Sequence, residues 1–600
     1  MNETIERITE RIKKRSLKSR AEYLNLMNNS AQNTVTRSGL ACGNLAHAFA
    51  ACNDDDKMEL SENTSSNLAI ITSYNDMLSA HKTYEDYPPK LKSYANKYGS
   101  VAQVASGVPA MCDGVTQGQA GMELSLFSRD IIALSTAIGL SHQMFDGGMC
   151  LGICDKIVPG MLIGSLRFGH LPFAFIPGGP MESGITNEEK AKARTEYAEG
   201  KIGRKELLAS ESASYHSAGT CTFYGTANSN QMLMEIMGIH LPGSSFVNPG
   251  TPLRDALNEF AVKRHTQITA QSKDYTPLHK VVSEECIVNA LVGLVATGGS
   301  TNHTIHLIAI ARAAGIIIDW NDFNDVSEVV PSITRVYPNG SADINYFQAC
   351  GGMGFLMKTL IEGGYLNENV STLMGRGLSY YTKEPFLNDG KLEWKDAPSE
   401  SLDETVLRST SNPFAPNGGM RLLEGNLGRA VIKISAVKEQ HQIVQAEAEV
   451  FEDQDDVLKA FTEKKLNKDV VVVVRNQSAT ENGMPELHKL TSTLSILQQN
   501  GFKVALVTDG RMSGASGKVP AAIHLSSKNG SNALINKLQS GDPILLNAKT
   551  GVLSCLNADE VIVRENSAQP PGDGQGVGRE LFERLRPLVS ESENGASFII

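Results

Sequence analysis

Cysteines, aromatic residues and long apolar runs are all scarce in this sequence. Nine cysteines occur among 600 residues, and aromatic residues make up 6% of the chain. No run approaches the roughly 18 consecutive apolar residues that a membrane-spanning helix needs, so we expect no membrane partner. The first segment, MNETIERITERIKK, is charged and lacks the apolar stretch of a secretory signal. We therefore expect a cytoplasmic protein whose cysteines are buried thiols or metal ligands and are not joined in disulfides.

Positive charge is also in short supply. Lysine and arginine total 55 against 66 aspartates and glutamates, which gives a formal charge of −11 at pH 7. Nucleic-acid-binding proteins normally present a basic face, whereas the short basic run Arg11–Arg20 is typical of a solvated helix face. We therefore expect no nucleic-acid partner.

The length and composition are those of a folded protein with more than one domain. Hydrophobic residues make up 41% and charged residues 20%, and 600 residues exceed what one core usually organises. Over residues 1–385, short apolar runs alternate with helix-like segments, and the runs end in glycine-rich or polar loops. This pattern predicts a large N-terminal α/β domain whose ligands gather at the carboxyl ends of its strands. Its predicted strands include Leu68–Thr72, Val101–Val108, Cys150–Cys154 and Leu171–Ile176.

The character of the sequence changes after this region. Residues 386–412 are polar and lack apolar periodicity, so we predict a linker there. Strand-like runs separated by turns follow, with fewer helices, and they predict a smaller β-rich, barrel-like domain over residues 413–600. The predicted strands of this domain are Ala430–Ile434, Val470–Val474, Val504–Val507 and Val561–Val563.

Three loops place a cysteine among glycines and polar residues. Cys112 follows a predicted strand and Cys154 ends one. Cys221 precedes a helix-like run whose N-terminus would stabilise the metal-binding thiolate. The wide spacing of these cysteines does not fit a compact zinc site, but it allows an iron–sulfur cluster assembled from separate loops. Each cysteine taken alone is more typical of a small buried apolar side chain, but the polar loops around Cys154 and Cys221 favour a ligand role for these two.

Hard oxygen donors accompany two of these cysteines. Asp113 directly follows Cys112, and Asp155 and Lys156 directly follow Cys154. Carboxylate oxygens are ligands that Mg²⁺ prefers, although a loop aspartate more often caps a helix or a turn. A soft sulfur set beside a hard oxygen set would indicate two different metals in one pocket.

Further loops offer groups for substrate binding and catalysis. The segments PGGPM at 177–181 and ATGGSTN at 296–302 present successive backbone N–H groups suited to carboxylate or phosphate, or form tight turns. Glu486 and Ser513 each lie in a loop after a predicted strand, where the serine could act as a nucleophile or base, or only shape the turn. The sequence contains no G-x-S-x-G elbow, no Walker A motif and no dinucleotide-binding fingerprint.

Taken in order, six motifs resemble those of the dihydroxy-acid and sugar-acid dehydratases, a family that includes the 6-phosphogluconate dehydratases. The resemblance covers nearly the whole chain. Longer segments, among them GVPAMCDGVTQGQAGMELSLFSRD and GLVATGGSTNHTIHL, are most similar to the phosphogluconate members. The six motifs are CDKxxPGM, PGGPM, GTCxxxxTANS, GGSTN, NGMPE and TDGRxSG.

The resemblance implies an iron–sulfur cluster. Cys154 and Cys221 match the family's cluster ligands. Some members hold another cluster cysteine in the loop that here reads SAH at 79–81, so Cys112 is our candidate for the third ligand. The implied cluster is [4Fe–4S], with [2Fe–2S] as the alternative.

The resemblance also implies a second metal and a catalytic base. Asp113, Asp155 and Glu486 match Mg²⁺ ligands. Lys156, which some members carry as a carbamate, and Ser513, which matches the proposed base, are the expected catalytic residues. The candidates for binding the substrate and its phosphate are Gly298, Gly299, Ser300, Thr301, Asn302 and Arg511.

The reaction implied is the dehydration of 6-phospho-D-gluconate to 2-dehydro-3-deoxy-6-phospho-D-gluconate in the Entner–Doudoroff pathway. In it, the cluster acts as a Lewis acid on the C3 hydroxyl. A dehydratase of another dihydroxy or sugar acid is the alternative within the family. A non-enzymatic iron–sulfur sensor, with a fully liganded cluster, is the alternative outside it. The resemblance further implies a homodimer.

Overall fold

The computed structural model describes residues 1–31, 33–514, 516–527, 533–569, 576 and 578–600, and only the backbone of Ala198. Its first part is built on a parallel four-stranded sheet of β1 (Asn67–Thr72), β2 (Val101–Gly107), β3 (Gly147–Leu151) and β4 (Phe173–Phe175). The strand order is β2–β1–β3–β4. β3 is buried throughout and β1 nearly so, as expected for a parallel sheet covered by helices.

Helices and two small hairpins complete this part of the chain. The helices are α1 (Glu3–Ser30), α2 (Cys42–Phe49), α3 (Asp54–Ser61), α4 (Ser79–Lys82), α5 (Tyr87–Lys97), α6 (Asp113–Thr116), α7 (Ser125–Leu140), α8 (Ile157–Leu166), α9 (Asn187–Ala198), α10 (Arg204–Ser214), α11 (Thr226–Ile236), α12 (Pro252–Thr266), α13 (Leu278–Val281), α14 (Glu284–Thr297), α15 (His303–Ala313), α16 (Trp320–Val329), α17 (Ile344–Ala349) and α18 (Gly352–Glu362). The hairpins are β5 (Ser371–Thr372) with β6 (Gly375–Arg376), and β7 (Lys383–Asn388) with β8 (Lys391–Asp396).

The second part is a closed eight-stranded barrel. Its elements are β9 (Met420–Gly425), β10 (Gly428–Lys433), β11 (Ile443–Phe451), α19 (Gln454–Thr462), β12 (Val470–Val474), α20 (Ala479–Asn482), α21 (Leu490–Gln499), β13 (Val504–Thr508), β14 (Ala521–Ser526), β15 (Pro543–Asn547), β16 (Val552–Cys555), α22 (Ala558–Ile562) and α23 (Arg579–Phe582). The strands follow the order β10–β14–β13–β12–β11–β15–β16–β9. From β11 to β14 the neighbours are parallel, and α19 and α21 serve as crossovers. The predicted fold class, an α/β part followed by a β-rich barrel, is confirmed.

Two segments in the second half of the chain have a secondary structure that differs from the one predicted from the sequence. Val561–Val563, predicted as a strand, lies at the end of α22. Val561 is fully buried whereas Ile562 and Val563 are 56% and 81% exposed, because a helical turn directs only one of the three side chains inward. The predicted linker, residues 386–412, includes the second half of β7 and all of β8. The domain boundaries stay a prediction.

The basic run of α1 is solvated only in part, because its arginines bind other helices whereas Lys14 and Lys18 are exposed. Arg11 donates to Asp322 of α16 over 2.6 Å. Arg20 is buried and donates to the carbonyls of Ala314 and His279 over 2.7 and 2.9 Å. These cations therefore attach α1 to the helices that surround the sheet. Within the described ranges, no helix is both long enough and apolar enough to cross a membrane.

Candidate active site

Loops from the sheet and from the barrel meet at the carboxyl ends of parallel strands. The sheet supplies Asp113 after β2 and Asp155 after β3. The barrel supplies Glu486 after β12 and Arg511 after β13, and the backbones of these two residues form a parallel bridge. Ligands of α/β sheets collect at this kind of edge, as the sequence pattern predicts.

Asp113, Asp155 and Glu486 form what we call the carboxylate cluster. One carboxylate oxygen of each lies within 4.8 Å of the others, and among the described residues this is the one such group that could hold a metal ion. The buried Lys156 ammonium donates to Asp155 over 2.6 Å and also to Asp113. The buried Arg511 guanidinium donates to Glu486 over 3.0 Å and to Asp155 over 3.2 Å. Three carboxylates thus face two cations, an arrangement that favours an additional positive ion.

The members of the cluster differ in how readily they ionise. Burial alone would raise the pKa of Asp155, but Lys156 and His306 outweigh it and hold that pKa well below its usual value. Burial raises the pKa of Glu486 to about 7, and the charges of the two aspartates add to this rise. Asp155 is therefore ionised, whereas Glu486 takes up a proton more readily than Asp155 does.

Polar side chains from neighbouring elements hold the three carboxylates in place. Asn302, predicted from the GGSTN motif, places its Nδ2 3.5 Å from Asp155 Oδ2 and 3.5 Å from Glu486 Oε1. Gln117 donates to the other oxygen of Glu486 over 3.1 Å. Ser125 donates to the third carboxylate of the cluster, that of Asp113, over 2.5 Å. Neither Gln117 nor Ser125 was predicted as a site residue, although both lie in or beside the Cys112 loop.

His306 is another residue that the sequence analysis missed. Its Nε2 lies 3.3 Å from Asp155 Oδ1, and Arg129 donates to its Nδ1 over 3.3 Å. Because a guanidinium can only donate, Nδ1 accepts and the ring proton resides on Nε2, facing Asp155. Burial lowers the pKa of His306 to about 4, so the ring is neutral. His306 follows Asn302 by four residues, the helical spacing that could have signalled its position.

The three predicted cluster cysteines come together in the fold. A hydrogen bond with Cys154 lowers the pKa of Cys112 to about 7, and the same bond raises the pKa of Cys154 well above its usual value. Cys221 is close enough for its charge to add to the rise at Cys154. Burial raises the pKa of Cys221 itself to about 12, and Cys221 does not adjoin the helix N-terminus from which the sequence predicts thiolate stabilisation. The helix, α11, begins five residues later, at Thr226.

The turn that carries Cys154 is strained and tightly supported. Cys154 has φ of +74°, a conformation that residues other than glycine seldom adopt. Asn230 of α11 donates to the carbonyl oxygens of Cys154 and Asp155 over 2.9 and 3.0 Å. This side chain, part of the TANSN segment, therefore fixes a cysteine and a carboxylate together.

Helix α8, which follows this turn, packs unusually closely on α7. A Cβ added to Gly160 would lie 2.5 Å from Arg129 O, and one added to Gly164 would lie 2.5 Å from Ala133 O. Only glycine allows this approach, which brings Lys156 at the start of α8 to the carboxylate cluster.

Ser513 lies in the loop after β13 and is partly buried. The next residue, Gly514, packs so closely that an added Cβ would lie 2.4 Å from Thr226 Oγ1 and 2.6 Å from Ser300 Oγ. Thr226 in turn accepts from Asn302 over 3.2 Å. The Ser513 loop therefore lies against the GGSTN loop, on the side of the carboxylate cluster.

The other residues of the GGSTN loop shape the turn between α14 and α15. Gly298 ends α14 with φ of +59°, which favours glycine, and Gly299 N donates to Leu294 O over 2.9 Å. Thr301 O accepts from the side chain of Thr304 over 2.9 Å. Asn302 is the loop residue whose side chain reaches the cluster. Ala515 of the neighbouring Ser513 loop lies outside the described residues.

Two family models match the chain. Dihydroxy-acid/6-phosphogluconate dehydratase N-terminal matches residues 65–381, and Dihydroxy-acid/6-phosphogluconate dehydratase C-terminal matches residues 405–596. The chain belongs to this family. The family prediction made from the six motifs is therefore confirmed, and the matched regions contain the carboxylate cluster, the three cysteines and Ser513.

Curated relatives resemble the chain over its whole length. It is 55% identical to a phosphogluconate dehydratase of Pseudomonas aeruginosa, over 99% of this chain and 98% of the relative. It is 54% identical to a phosphogluconate dehydratase of Escherichia coli, over all of both chains. A dihydroxy-acid dehydratase of Sulfurimonas denitrificans is 30% identical, over 88% of this chain and 93% of the relative.

Proposed function

We propose that this chain dehydrates 6-phospho-D-gluconate to 2-dehydro-3-deoxy-6-phospho-D-gluconate, as a hydro-lyase of the Entner–Doudoroff pathway. The observation that carries the proposal is the similarity to relatives named for phosphogluconate, at 55% identity over nearly the full length. The 30% identity to a dihydroxy-acid dehydratase favours a branched dihydroxy acid far less. The gathering of thiols and carboxylates in one site supports a metal-dependent elimination.

The cysteines fit an iron–sulfur cluster. Cys112, Cys154 and Cys221 come from three separate loops, and none of them is in a disulfide. We propose that they hold a [4Fe–4S] cluster, with [2Fe–2S] as the alternative. Held by these three thiolates alone, a [4Fe–4S] cluster would have one iron without a protein ligand, and it would supply Lewis-acid chemistry for a hydroxyl group.

The carboxylate cluster fits a hard divalent cation such as Mg²⁺. Asp113, Asp155 and Glu486 would supply one oxygen ligand each, and Asn302 and Gln117 would keep the carboxylates oriented. Carbamylation of Lys156 would turn its positive charge into a further negative oxygen ligand. Because Lys156 already lies between two of the carboxylates, the modified side chain would stay within the cluster.

Ser513 is proposed to take the proton from C2 of the substrate. Loss of this proton and of hydroxide from C3 gives an enol, which becomes the 2-keto acid when C3 is protonated. A serine is a weak base at neutral pH, so its alkoxide needs positive charge nearby. The packing of Gly514 against Thr226 and Ser300 holds the loop on the side of the carboxylate cluster, where Arg511 and a bound metal would supply that charge.

We also propose that the enzyme works as a cytoplasmic homodimer, with a phosphorylated sugar acid as its substrate. The family resemblance supports the dimer, and the composition supports the compartment. Light scattering of the purified protein tests the dimer, since a monomeric mass near 64.6 kDa would contradict it.

The function is tested by purifying the protein without air and measuring keto-acid formation. We expect turnover of 6-phosphogluconate to exceed turnover of 2,3-dihydroxyisovalerate and of gluconate by at least about tenfold. Preference for the dihydroxy acid would overturn the substrate assignment. Iron-free, sulfide-free protein that still eliminates water would overturn the role of the cluster.

A further inference from the structure

Lys433, the last residue of β10, is a buried lysine whose amine has no hydrogen-bond partner in the described part of the chain. It is 5% exposed. Burying an ammonium is unfavourable unless an anion compensates it. Burial alone lowers the pKa of Lys433 to about 7, with no contribution from a neighbouring carboxylate. An unpaired buried charge of this kind points to an anionic ligand.

The side chain of Lys433 runs between two loops of the candidate active site. Its Cδ and Cε lie 3.3 and 3.7 Å from the position of a Cβ on Gly517, at the end of the Ser513 loop. Ser435, two residues further along, donates to Asn339 over 2.9 Å, and Asn339 donates to Gly298 O over 2.9 Å. Lys433 is thereby placed between the Ser513 loop and the GGSTN loop.

One further cation lies at the end of the Ser513 loop. Lys518 follows Gly517, and its Nζ lies 5.4 Å from the centre of the Tyr337 ring. By contrast, Arg511 is already bound to the carboxylate cluster, whose negative charges would repel a phosphate.

We propose that Lys433 binds the phosphate group of the substrate, with Lys518 at the rim of the same subsite. This inference rests on the proposed function, because it assigns one end of a phosphorylated sugar acid. The substrate would extend from the carboxylate cluster, past Ser513, to Lys433. A lysine ammonium suits this task because it binds phosphate as a compact point charge with three donors.

The test compares Lys433→Met with the matched control Lys468→Met in the holoenzyme. Lys468 carries the same charge but pairs with Glu449 over 2.7 Å, just before β12 and so at the opposite end of the barrel strands. Two measurements are made on each protein. The first is KM for 6-phosphogluconate, and the second is the rise in melting temperature caused by inorganic phosphate, which does not depend on turnover.

We expect Lys433→Met to raise KM by about tenfold to a hundredfold and to abolish the protection by phosphate. Without phosphate, the melting temperature of Lys433→Met should equal or exceed that of the wild type, because the substitution removes an unpaired amine from the protein interior. Lys433→Arg should retain part of the phosphate protection, and Lys468→Met should behave as the wild type.

Unchanged KM and unchanged phosphate protection in Lys433→Met would overturn the assignment. A lower melting temperature in phosphate-free buffer would also overturn it, because it would show that the lysine serves the fold. Failure of the wild type to dehydrate 6-phosphogluconate would count against the proposed function instead. In that case, the phosphate protection of the two variants still decides whether Lys433 binds phosphate.

Discussion

At the scale of single residues, the placement of charge and sulfur organises the site. Lys156 and Arg511 are buried only because carboxylates surround them, and Asp155 is ionised because of its neighbours. The thiols of Cys112 and Cys154 share a hydrogen bond, so their pKa values move in opposite directions. Each of these groups would be costly to bury alone. Burying these groups side by side therefore offsets the cost and brings charges and thiols together in one site.

Cys112 is the residue whose role is most directly testable. We expect Cys112→Ser to lose bound iron and sulfide together with turnover, because a neutral hydroxyl is a poor ligand for cluster iron. Iron and sulfide are measured on protein purified without air. The control is Cys42→Ser, which replaces an exposed cysteine and should retain both. A full iron content in Cys112→Ser would remove Cys112 from the ligand set.

Ser513 should be separable from the metals. We expect Ser513→Ala to keep its iron and to lose turnover by about 10²- to 10⁴-fold, because only the proton acceptor is removed. Ser516→Ala, in the same loop, serves as the control, since Ser516 Oγ instead contacts Thr491 over 3.1 Å. Turnover near the wild-type rate in Ser513→Ala would exclude Ser513 as the base.

At the scale of elements, the close packing of α7 and α8 positions the turn that carries Cys154 and Lys156. Glycine at 160 and 164 lets the two helices approach until backbone carbonyls fill the space of a missing Cβ. The same approach brings Arg129 of α7 near His306 and delivers Lys156 to the carboxylates. Packing of elements and geometry of the site are therefore coupled here.

Gly160→Ala tests this coupling. An alanine in a helix is normally about 0.5–1 kcal/mol more favourable than glycine. Here the added Cβ meets Arg129 O at 2.5 Å and Ile132 Cβ at 2.8 Å, so we expect the variant to be destabilised by about 1–3 kcal/mol. Urea unfolding measures the difference.

The control for this change is Gly43→Ala in α2, where nothing lies within 4 Å of the added Cβ. That variant should be unchanged or slightly more stable. If Gly160→Ala also proved neutral, the contact between α7 and α8 would be looser than the structure indicates.

At the scale of the whole molecule, buried histidines link stability to pH. His265 of α12 is buried, neither of its ring nitrogens has a partner in the described part of the chain, and burial lowers its pKa to about 3. The unfolded chain binds a proton at this residue near pH 6.5, whereas the folded chain does not. The contribution of His265 to the free energy of unfolding is therefore fully present above about pH 6.5. Between about pH 6.5 and pH 3 it falls by about 1.4 kcal/mol for each pH unit.

His265→Gln should make this decline shallower. The readout is the slope of the urea midpoint between about pH 6.5 and pH 5, which does not depend on any constant loss of stability caused by the substitution. The control His47→Gln replaces an exposed residue of α2 and should leave the slope unchanged. Parallel slopes for His265→Gln and the wild type would contradict the prediction.

The sequence by itself determined the family, the fold class and much of the site. Apolar runs ending in polar loops predicted the strands, and six ordered motifs predicted a dehydratase. This worked because strand ends place their loops at one edge, whatever the details of packing. Asp113, Asp155 and Glu486, far apart in the chain, could be grouped for this reason together with the resemblance.

Only the tertiary structure decided which buried side chains have no hydrogen-bond partner among the described residues, and which side chains orient the carboxylates of the site. Val561 lies in a helix and not in the predicted strand, because only one side chain of this segment packs into the barrel core. His306 and Lys433 appear ordinary in the sequence, one on a helix and one ending an apolar strand. Their significance depends on burial and on distances between segments that lie far apart in the chain, which local patterns do not encode.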